Sequence, residues 1–288
     1  MKNQQNFTAG IILFLLADFF IVAMNAFAKG AAPHHAPVEI LFYRSIVAMF
    51  FLLAYLALTG RRNVYKTTRI TSHIWRALIG NAGVVLNFQA LSLMPMADVT
   101  ALLFTAPLMV TILAALILKE QVASHRWLAV VAGFAGVLLI SHPAGQNLAL
   151  PGLLAAMGSA LCNALVILLL RDLGRTEDAL TTVFYFLSFG ILFSGIYMIF
   201  FGHMPYPHTA WLLAGTGIAG GLQLLLKTQA YRIAEASLLS PFTYISLLWA
   251  TLIGLIFWGS VPTIWTAAGA AIIIASNLFI IWREGQIK

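Results

Sequence analysis

Three long stretches without a charged residue constrain the fold more than any other feature of this sequence. Residues 127–170, 179–226 and 236–282 contain no Asp, Glu, Lys or Arg. Each is far too long for one membrane crossing, which takes about 20 apolar residues in a helix. Each is interrupted by a run that predicts a turn: "SHPAGQNLALPG", "GHMPYPH" and "GSVPT". Only 9% of all residues are charged, against about 25% in soluble domains, so the sequence predicts an integral membrane protein.

Ten apolar segments are long enough to form membrane-spanning helices. Helices are predicted because membrane strands would need alternating polarity and a closed barrel. The first segment has a faint signal-peptide cleavage pattern, "AFAK", but Asp18 interrupts its apolar core, so we predict that it is retained. The predicted fold class is all-α, with ten spans at residues 9–30, 38–59, 74–93, 97–118, 126–142, 151–171, 179–201, 209–231, 236–258 and 263–282.

Basic residues concentrate in every second connection between these spans. With the N-terminus in the cytoplasm, the inner segments hold Lys2, Arg61, Arg62, Lys66, Arg69, Arg76, Lys119, Arg126, Arg171, Arg175, Arg232, Arg283 and Lys288. The outer loops hold essentially none apart from Lys29. Cytoplasmic loops carry an excess of Lys and Arg, so this pattern predicts cytoplasmic termini and a multi-pass protein of the plasma membrane, or of the inner membrane in a bacterium. The scattered charges form no basic arm for nucleic acid.

The sequence repeats weakly at an offset of 140 to 142 residues. An offset of 142 aligns residues 41–60 with 183–202, with identities at Phe42/Phe184, Tyr43/Tyr185, Tyr55/Tyr197 and Gly60/Gly202. An offset of 140 aligns residues 89–120 with 229–260, with identities at Gln89/Gln229, Ala90/Ala230, Leu108/Leu248 and Thr111/Thr251. Two halves, 1–147 and 148–288, then hold five spans each. Because five is odd, the halves have inverted topology, which is typical of secondary transporters with a midplane substrate site.

Residues 90–140 read "ALSLMPMADVTALLFTAPLMVTILAALILKEQVASHRWLAVVAGFAGVLLI". This order resembles the EamA-type, ten-helix exporter branch of the drug/metabolite transporter superfamily, and the resemblance extends over both halves. It implies that spans 1–4 and 6–9 surround a central cavity, with spans 5 and 10 at the periphery. It also implies export of amino acids and related metabolites, or of drugs. The second half departs from the pattern, with Leu247 where Pro107 stands and with Gly259 and Ser260 replacing Lys119 and Glu120.

Hydroxyl and aromatic side chains share one helix face in span four and in its counterpart, span nine. Residues three and four apart lie on the same side of a helix. Such faces suit a cavity for an amphipathic solute, because rings pack against its side chain while hydroxyls bond its polar end. The alternative is that the hydroxyls bond their own helix. The predicted substrate-binding residues of the two faces are Thr100, Phe104, Thr111, Ser240, Tyr244 and Thr251.

Five polar residues of other spans are further candidates for substrate binding. Lys227, about one turn inside the cytoplasmic end of span eight, either holds a substrate carboxylate or extends to the interface. Gln223 lies deeper in the same span and has no such alternative. Asn81 in span three either lines the cavity or bonds a neighbouring helix. Arg44 in span two, beside Tyr43, gates the outer mouth or binds a carboxylate, or else extends to the interface.

Asp18 is the one acidic residue predicted to lie well inside the hydrocarbon core. A carboxyl group there is costly unless it has a function, and proton exchange is one such function, so Asp18 is a candidate for coupling export to the proton gradient. Related four-helix multidrug members of the superfamily have an essential acid in their first span, and Asp18 resembles it in placement. The alternatives are an ion pair or a polar position open to the cytoplasm. Ala160 stands at the counterpart position.

The remaining motifs exclude other classes of function. An intramembrane enzyme needs a nucleophile–base or metal set, but the sequence has no G-x-S-x-G or H-E-x-x-H motif. A channel filter such as T-V-G-Y-G is also missing. His34 and His35 lack an acidic or cysteine companion, so we predict interface histidines, no metal site and no cofactor. The prediction is an exporter that works by alternating access, with a small-molecule substrate and the lipid bilayer as its partners and a single chain as its functional unit.

Overall fold

A computed structural model gives the chain an all-helical architecture. It describes residues 2–61, 64–117, 119, 122–141, 150–234 and 239–287. Within those residues every regular element is a helix, which confirms the predicted all-α class. The elements are α1 Lys2–Ala31, α2 Pro37–Thr59, α3 Ile70–Leu93, α4 Met96–Leu103, α5 Ala106–Ile117, α6 Ser124–Ile140, α7 Leu150–Leu173, α8 Ala179–Phe201, α9 Ala210–Ile233, a 3-10 turn Ser240–Tyr244, α10 Ile245–Trp258 and α11 Ile264–Ile287.

A helix lies on each of the ten stretches that the hydropathy pattern predicts. In the described part of the chain, eight helical segments are long and apolar enough to cross a membrane. They are Thr8–Ala31, Pro37–Thr59, Met96–Ile117, Leu150–Leu173, Ala179–Phe201, Ala210–Ile233, Pro241–Trp258 and Ile264–Arg283. The remaining two are α6, an apolar helix of only 17 residues, and α3, which carries several polar side chains. The count of ten spans therefore stays a prediction.

The two halves of the chain pack against each other in matching ways. Helix α1 lies along α9, and the corresponding pair from the opposite halves, α3 and α7, also lie together. Three further contacts join a helix to its own counterpart: α2 with α8, α4 with α10 and α6 with α11. Helices α6 and α11 approach closely because Gly136 and Gly269 face each other, and a Cβ on Gly136 would lie 2.7 Å from the Gly269 carbonyl oxygen.

Hydrogen bonds between helices fix α3 against α1. The Lys29 ammonium group donates to the carbonyl oxygens of Leu91 at 2.5 Å and Met94 at 2.7 Å, which satisfies acceptors at the end of α3. The Asn87 amide donates to Asn25 Oδ1 at 3.0 Å in the interior. Lys29, the one basic residue predicted near the outer loops, is therefore a structural cap for a neighbouring helix.

Span four is broken, which corrects the prediction of one continuous helix face. Helix α4 ends at Leu103 and α5 begins at Ala106, because Pro107 has no N–H to donate to the Leu103 carbonyl. The Asn277 amide of α11 donates to the Phe104 carbonyl at 2.8 Å and satisfies one acceptor freed by the break. Thr100 and Phe104 thus lie on one side of the break and Thr111 lies on the other.

Span nine is interrupted at the corresponding place, although Leu247 replaces Pro107. Residues Ser240–Tyr244 form a 3-10 turn that Pro241 starts, and α10 follows from Ile245. A 3-10 turn has three residues per turn, so the α-helical spacing that placed Ser240 and Tyr244 on one face does not apply. Leu247 does replace Pro107, and the second half has its break at Pro241 instead.

Candidate functional site

Two pairs of equivalent residues from the two halves touch each other. Phe104 and Tyr244, related by the offset of 140, have ring centroids 5.0 Å apart and ring planes at 78°. Arg44 and Phe186, related by the offset of 142, are also in contact, with the guanidinium carbon 5.8 Å from the ring centroid. Residues related by a two-fold operation touch only near its axis. These two contacts, which we call the axial contacts, therefore locate the approximate axis between the halves.

The aromatic axial contact lies where both helices are interrupted. Phe104 follows the last residue of α4, and Tyr244 is the last residue of the 3-10 turn. Transporter folds place substrate sites at such discontinuous helices, because the interruption exposes backbone polar groups that a ligand can bind. Two of the predicted binding residues, Phe104 and Tyr244, are thus in contact at these interruptions.

The hydroxyl groups predicted beside this pair have different surroundings. Thr100 and Thr111 are buried on α4 and α5. The Thr111 hydroxyl is 3.4 Å from the Pro107 carbonyl of its own helix, as the alternative interpretation proposed. Thr251 is half-buried on α10. The side chain of Ser240 lies outside the part of the chain whose side chains are described.

Asp18 and Lys227, predicted separately, lie together between α1 and α9. Asp18 is buried, and no described residue is a hydrogen-bond partner of its Oδ2 atom. The Lys227 ammonium group lies 5.3 Å above the Phe14 ring, and its charge acts on Asp18. The Phe14 ring makes an edge contact with Tyr231 at 5.8 Å. Gln223 is buried on α9, one turn before Lys227.

Two other candidates make contacts with the opposite half. The Asn81 amide donates to the carbonyl of Ala77 at 2.8 Å and to the carbonyl of Phe186 at 3.2 Å. The first bond lies within α3 and the second joins α3 to α8, as the helix-bonding alternative proposed. The Tyr43 hydroxyl donates to the His203 carbonyl at 3.1 Å, so it contacts the connection between α8 and α9.

Side chains join the two halves at one end of the bundle, where residues 32–36 and 202–209 connect helices, and we call such a set of contacts a closure. We call this the His35 end. His35 Nε2 lies 2.8 Å from Thr209 Oγ1, and His35 Nδ1 lies 3.1 Å from Glu39 Oε2. His35 therefore has an acidic companion, contrary to the prediction from the sequence. The other Glu39 oxygen accepts from the His203 backbone N–H at 3.2 Å. A cavity of about 380 Å³ opens beside this closure. Its lining includes His34, Glu39, Gln89, Ser92, Tyr197 and His203.

The opposite end, where residues 60–69 and 174–178 connect helices, is closed by charged pairs. We call this the Glu177 end. The Thr67 hydroxyl donates to Glu177 Oε1 at 2.9 Å. Ion pairs join the same connections and the ends of the adjacent helices: Arg69 with Asp172 and Arg61 with Asp178. His73 Nε2 also lies 3.4 Å from Glu177 Oε2.

The two closures use equivalent positions. Glu177 follows His35 by 142 residues, and Thr209 follows Thr67 by 142 residues. The His35–Thr209 contact at one end therefore corresponds to the Glu177–Thr67 contact at the other. The first half supplies His35 to one closure and Thr67 to the other. The second half supplies Thr209 to the first of these and Glu177 to the second.

Four residues of these closures carry no binding prediction from the sequence. They are His35, Glu39, Glu177 and His203, which hydropathy places at helix ends or in loops. The sequence does contain one signal for these residues: when the offset of 142 is extended from the helices into the connections, it pairs His35 with Glu177. Among the described residues, no group of three or more His, Cys, Asp or Glu side chains is arranged to hold a metal ion.

An all-helical membrane protein whose two equivalent halves meet at an axis, with a closure at each end, has the architecture of a secondary transporter. The profile of the EamA-like transporter family matches residues 8–142 and 150–282, once in each half. The chain belongs to this family, which confirms the resemblance seen in the sequence, and it is a multi-pass membrane protein and a transporter rather than an enzyme.

Similar proteins include two named for their solutes. A riboflavin transporter of Vibrio cholerae is 30% identical over 94% of this chain and 92% of its own length. An S-adenosylmethionine uptake transporter of Rickettsia bellii is 26% identical over 97% of this chain and 96% of its own length. A solved crystal structure with 18% identity superposes with a TM-score of 0.65 and covers 99% of both chains, which supports the fold.

Because the closures are equivalent, two matched substitutions are predicted to have the same effect at opposite ends of the bundle. Thr209→Val removes the hydroxyl contact at the His35 end, and Thr67→Val removes its counterpart at the Glu177 end. One hydrogen bond contributes about 0.5–1.5 kcal/mol, so opening of the affected end becomes about two- to tenfold more frequent. Hydrogen–deuterium exchange measured by mass spectrometry then shows faster exchange at 32–36 and 202–209 in Thr209→Val, and at 60–69 and 174–178 in Thr67→Val.

Each variant is the control for the other, because each keeps the remaining contacts of both closures. Faster exchange at both ends in either variant, or at the unmodified end alone, contradicts the equivalence of the two closures.

Proposed function

We propose that the chain exports small amphipathic metabolites by alternating access, with amino acids that have bulky or aromatic side chains as the first candidates. The observation that supports this proposal best is the use of equivalent positions to close both ends. When one closure breaks and the other holds, the centre is exposed to one side of the membrane at a time. A channel needs both ends open at once, and two equivalent closures serve no purpose in it.

The proposed topology is ten spans in two inverted halves, 1–147 and 148–288, with the two-fold axis in the plane of the membrane. Helices α3 and α6 are included because their counterparts, α9 and α11, are long and apolar enough to cross. Basic residues support the orientation, since the Glu177 end holds Arg61, Lys66, Arg69, Arg171 and Arg175. By the positive-inside rule this end faces the cytoplasm, together with both termini.

The proposed substrate site lies along the axis. Phe104 and Tyr244 pack against an apolar or aromatic group of the solute, because rings bury a large area at a small entropic cost. Thr100, Thr111 and Thr251, and Ser240 by its place in the sequence, are proposed to supply hydroxyls to the solute. Gln223, Asn81, Tyr43 and Arg44 are proposed to bind its other polar groups. An amphipathic solute with one flat apolar end and one polar end fits this composition.

A second candidate function is uptake of larger ring-bearing solutes. One relative is named as a riboflavin transporter and another as an S-adenosylmethionine uptake transporter. Both names support this size of solute, and the second also supports this direction. Both compounds combine a fused aromatic ring system with a polar chain, so the aromatic axial contact suits them as well as it suits an aromatic amino acid. Cells loaded with labelled amino acids, and cells offered labelled riboflavin or S-adenosylmethionine from outside, separate the two candidates.

Removing a ring from the aromatic axial contact is expected to reduce transport. Tyr244→Ala and Phe104→Ala each lower the transport rate of an aromatic solute about tenfold, because a buried aromatic contact contributes about 0.5–1.5 kcal/mol beyond its buried area. Tyr244→Phe keeps the ring and retains most of the rate. The measurement is flux of labelled L-phenylalanine, riboflavin and S-adenosylmethionine in cells that express each variant at equal levels.

Phe257→Ala is the matched control, because that ring is 72% exposed on the outer surface of α10. If a solute moves and both axial alanine variants carry it at the wild-type rate, the assignment of the site to the axis is wrong.

Asp18 is proposed to couple transport to the proton gradient. It is the buried acid of α1, and Lys227 and Tyr231 of α9 face it across the most extensive contact between the halves. Protonation of Asp18 removes its attraction to Lys227, and this change alters the contact between α1 and α9. A proton that binds from one side and leaves to the other then drives the solute.

Asp18→Asn is expected to abolish accumulation driven by a pH gradient while leaving exchange of labelled for unlabelled solute close to the wild-type rate. The measurement uses liposomes with and without a pH gradient. Asp98→Asn is the control, since Asp98 already accepts a hydrogen bond of 2.8 Å from Thr266. Gradient-driven accumulation that survives in Asp18→Asn contradicts the coupling role.

A further inference from the structure

Two arginine side chains lie against the same ring in the interior of the protein. The Arg76 guanidinium carbon is 4.2 Å from the centroid of the Phe186 ring, and that of Arg44 is 5.8 Å from it. Arg44 is 3% exposed and Arg76 is 9% exposed. Hydropathy places Arg76 among the basic residues of the inner membrane surface, but its side chain extends along α3 into the bundle.

Both guanidinium groups keep N–H donors without an acceptor. Arg44 Nη1, Arg76 Nε and Arg76 Nη1 have no hydrogen-bond partner among the described residues. Arg44 uses its Nε for a contact of 3.1 Å with the thioether sulfur of Met24, which is a weak acceptor. The ring of Phe186 attracts both cations but cannot accept their N–H groups in the way that an oxyanion does.

The acidic side chains described in the structure are engaged elsewhere. Glu39 contacts His35 and His203, Asp98 contacts Thr266, and Glu177 contacts Thr67 and His73. Asp172 pairs with Arg69 and Asp178 pairs with Arg61. Asp18 interacts with the charge of Lys227. The charged group that acts on Arg76 is Arg44, which carries the same sign. The pair therefore has two buried positive charges and no compensating carboxylate in the described residues.

Such an arrangement is costly unless an anion completes it. An uncompensated charge in a low-dielectric interior is strongly destabilising, and two like charges repel each other as well. Arginine presents its donors as a planar fork that matches the two oxygens of a carboxylate or a phosphate. A bound oxyanion removes the repulsion and satisfies the free donors at the same time.

The surroundings of the pair offer two further polar atoms. Ser45 Oγ and Asn81 Oδ1 are buried without a hydrogen-bond partner in the described part of the chain. Both lie over the bare backbone of Gly190, since a Cβ there would be 3.1 Å from Ser45 Oγ and 2.9 Å from Asn81 Oδ1. The Ser45 hydroxyl is a donor that an oxyanion can use together with the guanidinium groups.

We propose that Arg44 and Arg76 together bind the anionic group, a carboxylate or a phosphate, of the solute. That this solute is the transported cargo rests on the proposed function. The arginine pair and the aromatic axial contact both lie near the axis. The arginine pair holds the charged end of the solute, and the aromatic axial contact packs against its ring. The cargo class is then an organic anion that carries an aromatic or bulky apolar group.

The test uses purified full-length protein and three matched probes: phenylacetate, phenyl phosphate and the neutral phenylacetamide. The midpoint of thermal unfolding is followed against probe concentration. In the wild type, at least one anion raises the midpoint at concentrations at which the amide does not, and the more effective anion identifies the group as carboxylate or phosphate. Arg44→Gln and Arg76→Gln each weaken the apparent affinity for that anion about tenfold or more, because each removes charge-assisted hydrogen bonds.

Arg175→Gln is the matched control, since Arg175 is exposed at the Glu177 end and is expected to leave the anion preference unchanged. Arg44→Lys and Arg76→Lys keep the charge but lose the fork, so they weaken binding less than the glutamine variants and remain measurable if those do not fold. The inference is overturned if the wild type responds equally to anions and amide, or if the arginine variants keep the wild-type preference. A preserved anion preference in a protein that moves no solute contradicts the proposed function alone.

Discussion

The hydrocarbon of a membrane offers no hydrogen-bond partner, so every polar group inside this chain must find its partner in the protein or in a ligand. Most polar groups find one between helices that are distant in sequence. Asn87 bonds Asn25, Lys29 caps the end of α3, and Asn277 satisfies the carbonyl freed at Phe104. Against this background, Arg44 and Arg76 are buried cations with N–H donors that have no partner among the described residues. The proposed anion would satisfy these donors.

The two-fold relation gives both ends of the bundle the same geometry but different chemistry. The His35 end is closed by two histidines, a glutamate and a threonine, whereas the Glu177 end is closed by a threonine, acidic residues and arginines. The proposed alternating access would use equivalent contacts at both ends, and unequal side chains would give its two open states different stabilities.

Hydropathy was sufficient to predict the class of fold and the positions of the helices, because the bilayer dictates both the length and the composition of a span. The breaks were less predictable. Pro107 was visible in the sequence, but the break at Phe104 is completed by Asn277, which is 173 residues away. Ser240 and Tyr244 were placed on an α-helical face because neither the 3-10 turn nor the role of Pro241 follows from local spacing.

The candidate site was predictable where the repeat and the helix spacing agreed. Phe104 and Tyr244 were paired by the offset alone, and the structure brings their rings together. Arg76 was missed because its Cα lies close to a helix end, where a long side chain ordinarily extends to the lipid headgroups. Asp18 and Lys227 were both recognised, but their proximity depends on the packing of α1 against α9, which no short-range pattern encodes.

Alternating access requires the two ends to open in turn around the axis, and single-molecule fluorescence can follow both ends of one molecule. In a Cys162→Ser background, one donor–acceptor pair joins positions 33 and 204 at the His35 end, and a second pair joins positions 66 and 175 at the Glu177 end. We expect each distance to switch between a short and a long value, and one distance to be long only while the other is short. Molecules with both distances long at the same time would show a continuous pathway and contradict alternating access.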